Sequence, residues 1–150
     1  MPRATHAEVG HADARGWVNV LADVPLFAGL SRRHLNKVAS TGSLKRFHDK
    51  TAIVRTGEMG TTLYVVLDGT VSVRRRGLPV LRLGMGSVFG EMALLDGHQR
   101  SATVMAEEPV LCLTIEQSRF LRLLRSEPAI AIALLKELAA RLRAVQATTL

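Results

Sequence analysis

Cysteine is almost absent from this 150-residue chain. The single one, Cys112, excludes an internal disulfide and suits a reducing compartment. Aromatic residues make up only 4% of the sequence, leaving little with which to stack single-stranded bases. Apolar runs of about 18 residues or more are missing, so no transmembrane helix is predicted. The opening stretch MPRATHAEVGHADARGWVNV lacks the unbroken apolar core of a signal peptide, and a cytoplasmic location is expected. A Walker-type Gly-Lys-Ser/Thr loop is also missing, so nucleotide hydrolysis is not indicated. Ser31, Ser40 and Ser43 have no His and Asp companions in a hydrolase context. His98 and Cys112 belong to different elements and do not make a metal or haem ligand set. No enzymatic activity, metal or cofactor is expected.

What is present is an excess of positive charge. There are 20 Lys and Arg against 13 Asp and Glu, a net charge of +7. Such a balance suits either a nucleic-acid or membrane-surface partner, or an arginine-rich solvated surface around a small anionic ligand. The basic residues are scattered along the sequence from Arg32 and Arg33 to Arg141 and Arg143, which favours the second reading. Neither nucleic acid nor membrane is expected as a partner.

The length predicts one domain, residues 16–150, preceded by a flexible arm over residues 1–15. A helical pattern begins at Trp17. Asp23 to Leu30 reads as a turn with apolar anchors, and Ser31 as the N-cap of a helix carrying Leu35 and Val38. The middle is different: LKRFH, AIVR, TLYVVLD, TVSVRRR, PVLRL, SATVMA and VLCLTI are short β-rich runs separated by glycines. That spacing predicts a sandwich or barrel, with Asp68-Gly69 as a hairpin turn. Helix returns over EQSRFLRLLRSE, and Pro128 opens another. In this last helix Ala131, Leu135, Leu138, Leu142 and Val145 form a seam-type stripe, for packing on the domain itself or on a second copy.

The chemistry is concentrated in FGEMALLDGHQRSATV, residues 89–104. A strand ends near Val88; Gly90 permits close backbone approach; Glu91 to Leu95 makes about one helical turn; Arg100 follows a loop before the next strand. An arginine fork matches two phosphate oxygens. A carboxylate beside a phosphate is repelled unless it accepts from a hydroxyl. Glu91 with Arg100 therefore suits a ligand carrying a hydroxyl and one negative charge side by side, as a ribose next to a cyclic phosphate does. A structural ion pair between the two is the competing reading.

This stretch resembles the phosphate-binding cassette of the cyclic nucleotide-binding domain family, whose pattern is Phe-Gly-Glu-x-Ala-Leu, a short gap, then Arg-Ser/Ala/Thr-Ala-Thr/Ser-Val. The family includes catabolite activator-type regulators, protein kinase A regulatory subunits and cyclic nucleotide-gated channels. RTGEMGTTLYVVLDGTVSV, DVPLFAGLS and LGMGSVFGE extend the similarity over roughly residues 20–145. The resemblance implies a mainly β fold with flanking helices: a double-stranded β-helix (jelly-roll) barrel, an N-terminal helical segment and C-terminal lid helices. It implies that Glu91 accepts from the ribose 2′-hydroxyl and that Arg100 pairs with the exocyclic phosphate oxygens. Gly90, Ser101 and Ala102 would offer backbone N–H groups, and Val73 and Val80 would contact the base. Met92, Ala93 and Phe89 complete the implied ligand set. Leu138, Leu142, Val145 or Gln146 would cover the base, and the last helix would shift on binding.

Two departures stand out. Thr61 occupies a position where the family often has Asp. No helix-turn-helix follows the last helix, so the output falls to an unknown protein effector or to a missing segment. Ser101, rather than threonine, after the arginine points to cAMP over cGMP. A single hydroxyl contact is worth about 0.5–1.5 kcal/mol, so cross-binding of cGMP is expected. A non-binding interaction module of the same fold, and a DNA-associated regulator, are the alternatives.

Overall fold

The computed structural model describes residues 14–149, with side chains from 16 to 148. All of the expected N-terminal arm except its last two positions lies outside the described residues; those two already belong to a helix. The described residues form two compact units, a strand unit from Gly42 to Ser118 and a helical unit of residues 14–41 and 119–149.

The strand unit contains β1 (Gly42–Phe47), β2 (Ala52–Val54), β3 (Met59–Gly60), β4 (Thr62–Asp68) and β5 (Val71–Arg74). It continues with β6 (Leu81–Leu83), β7 (Val88–Phe89), the single-turn helix α3 (Ala93–Asp96), β8 (His98–Gln99), β9 (Thr103–Ala106) and β10 (Val110–Glu116). Two four-stranded antiparallel sheets result, in the orders β1-β10-β4-β7 and β2-β9-β5-β6, with β3 and β8 as a separate ribbon. This is the jelly-roll arrangement of a β-barrel. The β-rich runs become strands because β-branched and aliphatic residues suit an extended, partly buried backbone; β9 alternates between the interior and the outside, whereas β10 is buried along most of its length. Phe47, Val54, Val66, Val71, Val104, Ala106, Val110 and Cys112 form the core between the sheets.

One expectation is corrected. Asp68-Gly69 does not close a hairpin, because β4 and β5 belong to different sheets. The turn is a corner between sheets. Gly69 takes a left-handed φ of +95°, and an added Cβ would lie 2.5 Å from the Pro109 carbonyl oxygen. The local hairpin is the next one, where β5 pairs with β6 and Val73 faces Leu81.

The helical unit contains α1 (Ala14–Ala22), a 3-10 turn at Pro25–Phe27, α2 (Arg32–Ala39), α4 (Gln117–Ser126) and α5 (Pro128–Thr149). Ser31 caps α2 as expected: its Oγ accepts from the His34 N–H at 3.2 Å. Leu26 and Phe27 are buried anchors, and the Phe27 and Phe120 rings meet at 5.8 Å. Lys37 of α2 pairs with Glu127, at the junction of α4 and α5. The packed face of α5 is Ile130 and Leu134, not the predicted stripe: Leu135 and Leu142 are exposed. The stripe followed a 3.5-residue spacing, whereas the packed face is fixed by the first turns of α5 against the 3-10 turn.

Candidate ligand-binding cavity

A cavity of about 480 Å³ opens within the strand unit. This lies in the range of small-molecule sites. One wall is the segment from Val88 to Ala93 with residues 98–102; the other is made by Val54, Val73, Leu81, Leu83 and Val104. Nine of the ten residues singled out in the sequence line it: Val73, Phe89, Gly90, Glu91, Met92, Ala93, Arg100, Ser101 and Ala102. Val80 does not. It precedes β6 and is exposed, while Leu81, the cross-strand partner of Val73, takes the wall position.

The geometry turns on Arg100. Its backbone is clasped from both sides: its N–H donates to the Glu58 carbonyl and its carbonyl accepts from the Gly57 N–H, each at 2.8 Å. The ribbon just before it, with Gly60 opposite His98 and Met59 opposite Gln99, sets this register. The side chain then runs through a slot with a glycine on either side. An added Cβ at Gly60 would overlap Nε, Cζ and Cδ of Arg100, and one at Gly90 would overlap Nη1 of Arg100 and the Thr62 carbonyl oxygen. Gly90 also holds φ at +81°, a backbone region that side chains disfavour. At the end of the slot Nη2 of Arg100 donates to the Thr62 carbonyl at 2.7 Å. The guanidinium carbon lies 5.9 Å from the centre of the Tyr64 ring, which stacks on Phe89 at 4.9 Å.

Electrostatics follow from this half-buried setting. Desolvation lowers the Arg100 pKa from its ordinary value, with the neighbouring Tyr64 opposing. Burial raises that of the Tyr64 phenol, and the Arg100 charge offsets part of the rise. Burial pushes the core thiol of Cys112 up to about 12. Glu91 is half-buried on the same cavity wall as Arg100.

The short helix α3 is anchored by the Leu94 N–H, which donates to the Gly90 carbonyl at 3.2 Å, and by that of Leu95, which donates to Met92 at 3.0 Å. This fold-back presents Glu91 and Met92 to the cavity. The cavity thus combines an apolar wall with a wall carrying one carboxylate and one guanidinium, suited to a flat ring system joined to a hydroxyl and an anion. The sequence did not assign ligand contacts to Val54, Arg75, Leu81, Leu83, Val88, His98, Gln99 or Val104, which also line it. Arg75 follows the last residue of β5 and opens the turn that leads to β6. Among the described residues no three His, Cys, Asp or Glu side chains gather as a metal site, and no helix is long and apolar enough to cross a membrane.

Comparison with known proteins gives a consistent result. The signature of the cyclic nucleotide-binding domain matches residues 44–127. The chain is 38% identical over 105 residues to a cAMP-dependent protein kinase regulatory subunit of Debaryomyces hansenii, covering 69% of this chain and 23% of that protein. It is 38% identical over 127 residues to a cyclic nucleotide-gated potassium channel of Mesorhizobium japonicum, covering 84% and 35% respectively. The chain therefore spans about a third or less of these relatives' length. Among solved structures, the N-terminal domain of a transcriptional regulator from Streptomyces coelicolor superposes with a TM-score of 0.77 at 30% identity, covering 84% of this chain and 94% of that one.

Proposed function

The chain belongs to the cyclic nucleotide-binding domain family, and from that premise we propose that the cavity holds cAMP, as the sensor part of a regulatory protein. The observation that carries this reading is Arg100, whose side chain lies between two glycines and lines a cavity that Glu91 also lines. Arg100 takes the cyclic phosphate and Glu91 accepts from the ribose 2′-hydroxyl. Val73, Leu81, Leu83 and Val104 face the base, and Ser101 adds a hydroxyl beside the phosphate. Adenine is favoured over guanine because Ser101 lacks the extra methyl of a threonine, which fixes the hydroxyl rotamer. The residues assigned here bind and orient; none is assigned bond-breaking chemistry.

Calorimetric titration of cAMP and cGMP into the wild type, Arg100→Ala and Glu91→Gln tests the assignment. Loss of a charge-assisted, two-pronged contact in Arg100→Ala should weaken cAMP by about 100-fold. Equal affinity of Arg100→Ala and wild type overturns the reading. Tighter binding of cGMP than cAMP overturns the preference alone.

The signal leaves through α5, whose position responds to ligand only as far as cAMP binds two arrangements with different affinity. Hydrogen exchange along residues 128–149 with and without cAMP reads this directly, and identical exchange excludes it. The exposed Leu135 and Leu142 suit a homodimer seam. Sedimentation of the wild type against Leu135→Glu/Leu142→Glu distinguishes a dimer lost on substitution from a monomer in both.

A further inference from the structure

The positive charge that looks scattered along the sequence is gathered in one unit of the fold. Residues 14–41 and 119–149 hold ten Lys and Arg against three Asp and Glu, whereas Gly42 to Ser118 hold nine against eight. The helical unit therefore carries an excess of seven positive charges. Two of its three acids are already engaged, Glu127 with Lys37 and Glu137 with Arg141. On α4, Arg119, Arg122 and Arg125 recur every third residue, and all three are exposed. Each step advances about 4.5 Å along one helix face. Among the described residues none of the three is in an ion pair. Like charges at this spacing repel, so the ladder is a standing cost until an anionic surface meets it.

Beside the ladder lies a cavity of about 350 Å³ lined by Ser40, Thr41, Arg119, Arg122, Leu123 and Ser126. Its three hydroxyl protons are already committed. Ser40 donates to the Lys37 carbonyl at 2.6 Å, Thr41 to that of Val38 at 2.7 Å, and Ser126 to that of Leu123 at 3.0 Å. What the hydroxyls still offer is lone pairs. The cavity thus presents guanidinium donors beside hydroxyl acceptors. A partner that satisfies both must bring carboxylates together with N–H groups. A polypeptide rich in Asp and Glu does so; a DNA backbone brings phosphate acceptors and no donors. The ladder also spans only about 9 Å, and the aromatic ring of α4, Phe120, is fully buried and cannot stack on a base.

We propose that the face of α4 joined to the end of α2 is the docking site for an acidic peptide segment of an effector protein, the arginine ladder pairing with its carboxylates and the Ser40–Ser126 cavity accepting from its backbone N–H groups. This site lies in the helical unit and stands independently of the nucleotide reading.

Fluorescence anisotropy of the full chain with labelled poly-L-glutamate tests it, at about 50 and 200 mM salt. Duplex DNA and phosphatidylserine-containing vesicles serve as rival probes. The triple variant Arg119→Gln/Arg122→Gln/Arg125→Gln should bind polyglutamate about tenfold more weakly. The corresponding triple Lys variant should be weakened about threefold, keeping charge but losing the planar fork. A strand-unit control, Arg46→Gln/Arg76→Gln, should stay within about twofold of wild type. All five arginines are exposed, so each variant should fold, which circular dichroism checks. Unchanged polyglutamate binding by the triple Gln variant overturns the proposal. So does tighter binding of DNA or of vesicles, which reassigns the face to nucleic acid or to lipid.

Discussion

Arg100 shows how much one side chain can demand of its surroundings. Gly90 beside it has two reasons to be glycine, a left-handed φ and a Cβ direction blocked by the Thr62 backbone. Backbone oxygen cannot move aside as a flexible side-chain tip can. Gly90→Ala should therefore cost about 2–4 kcal/mol of stability, read by urea denaturation, in addition to weakening ligand binding. Cys112 tests the interior in another way. Its folded-state pKa of about 12 stands above the ordinary 9.0 because burial favours the neutral thiol. The corresponding stability is fully present below pH 9 and is lost as pH rises toward 12. Denaturation at roughly pH 8 and 10.5 should show the wild type losing more stability than Cys112→Ala. A smaller loss in the wild type would contradict the buried neutral thiol.

Elements were legible to the extent that their signals are local. Ser31 illustrates a local signal: an N-cap hydroxyl satisfies an amide within the same turn, so the four residues Ser31 to His34 specify it. Ser31→Ala should cost about 1 kcal/mol by the same urea measurement, with Ser31→Asp close to wild type. The β-rich runs were legible for the same reason, since β-branched content and flanking glycines are local features of the chain. Asp68-Gly69 marks where this fails. A turn residue reports that the chain reverses, but which sheet receives the next strand depends on β9 and β10, far along the chain. The two-residue strands β3 and β8 were invisible because two residues carry no period; their pairing emerges only when the loop around Arg100 is clasped. Within the site, the Phe89–Val104 segment was recognisable because its chemistry is contiguous. The opposite wall was not, since Val54, Val73 and Leu83 become neighbours only through strand pairing. On α5 the sequence left open whether the stripe packs within the chain or on a second copy; Leu135 and Leu142 are exposed, and Ile130 and Leu134 form the buried face instead.

At the scale of the whole molecule, ligand binding and folding are linked. If cAMP binds only the native chain, about 100-fold excess over its dissociation constant adds about 2.7 kcal/mol, or roughly 5–10 °C in melting temperature. A melting curve unmoved by saturating cAMP would leave the cavity as architecture without a ligand. The partition of charge bears on the same scale: with a nearly balanced strand unit and a strongly basic helical unit, the proposed nucleotide and peptide sites should respond differently to salt. The glycine slot has a further consequence, for how substitutions combine. Positions 60 and 100 compete for one volume, so a methyl at the first is intolerable only while the guanidinium fills the second. Gly60→Ala should damage the wild type yet be nearly silent in Arg100→Ala, giving a coupling of about 1–3 kcal/mol in a double-mutant cycle. A copy of this fold that had abandoned its arginine would be released from keeping that glycine bare, whereas Gly90, held by its own backbone, would stay constrained.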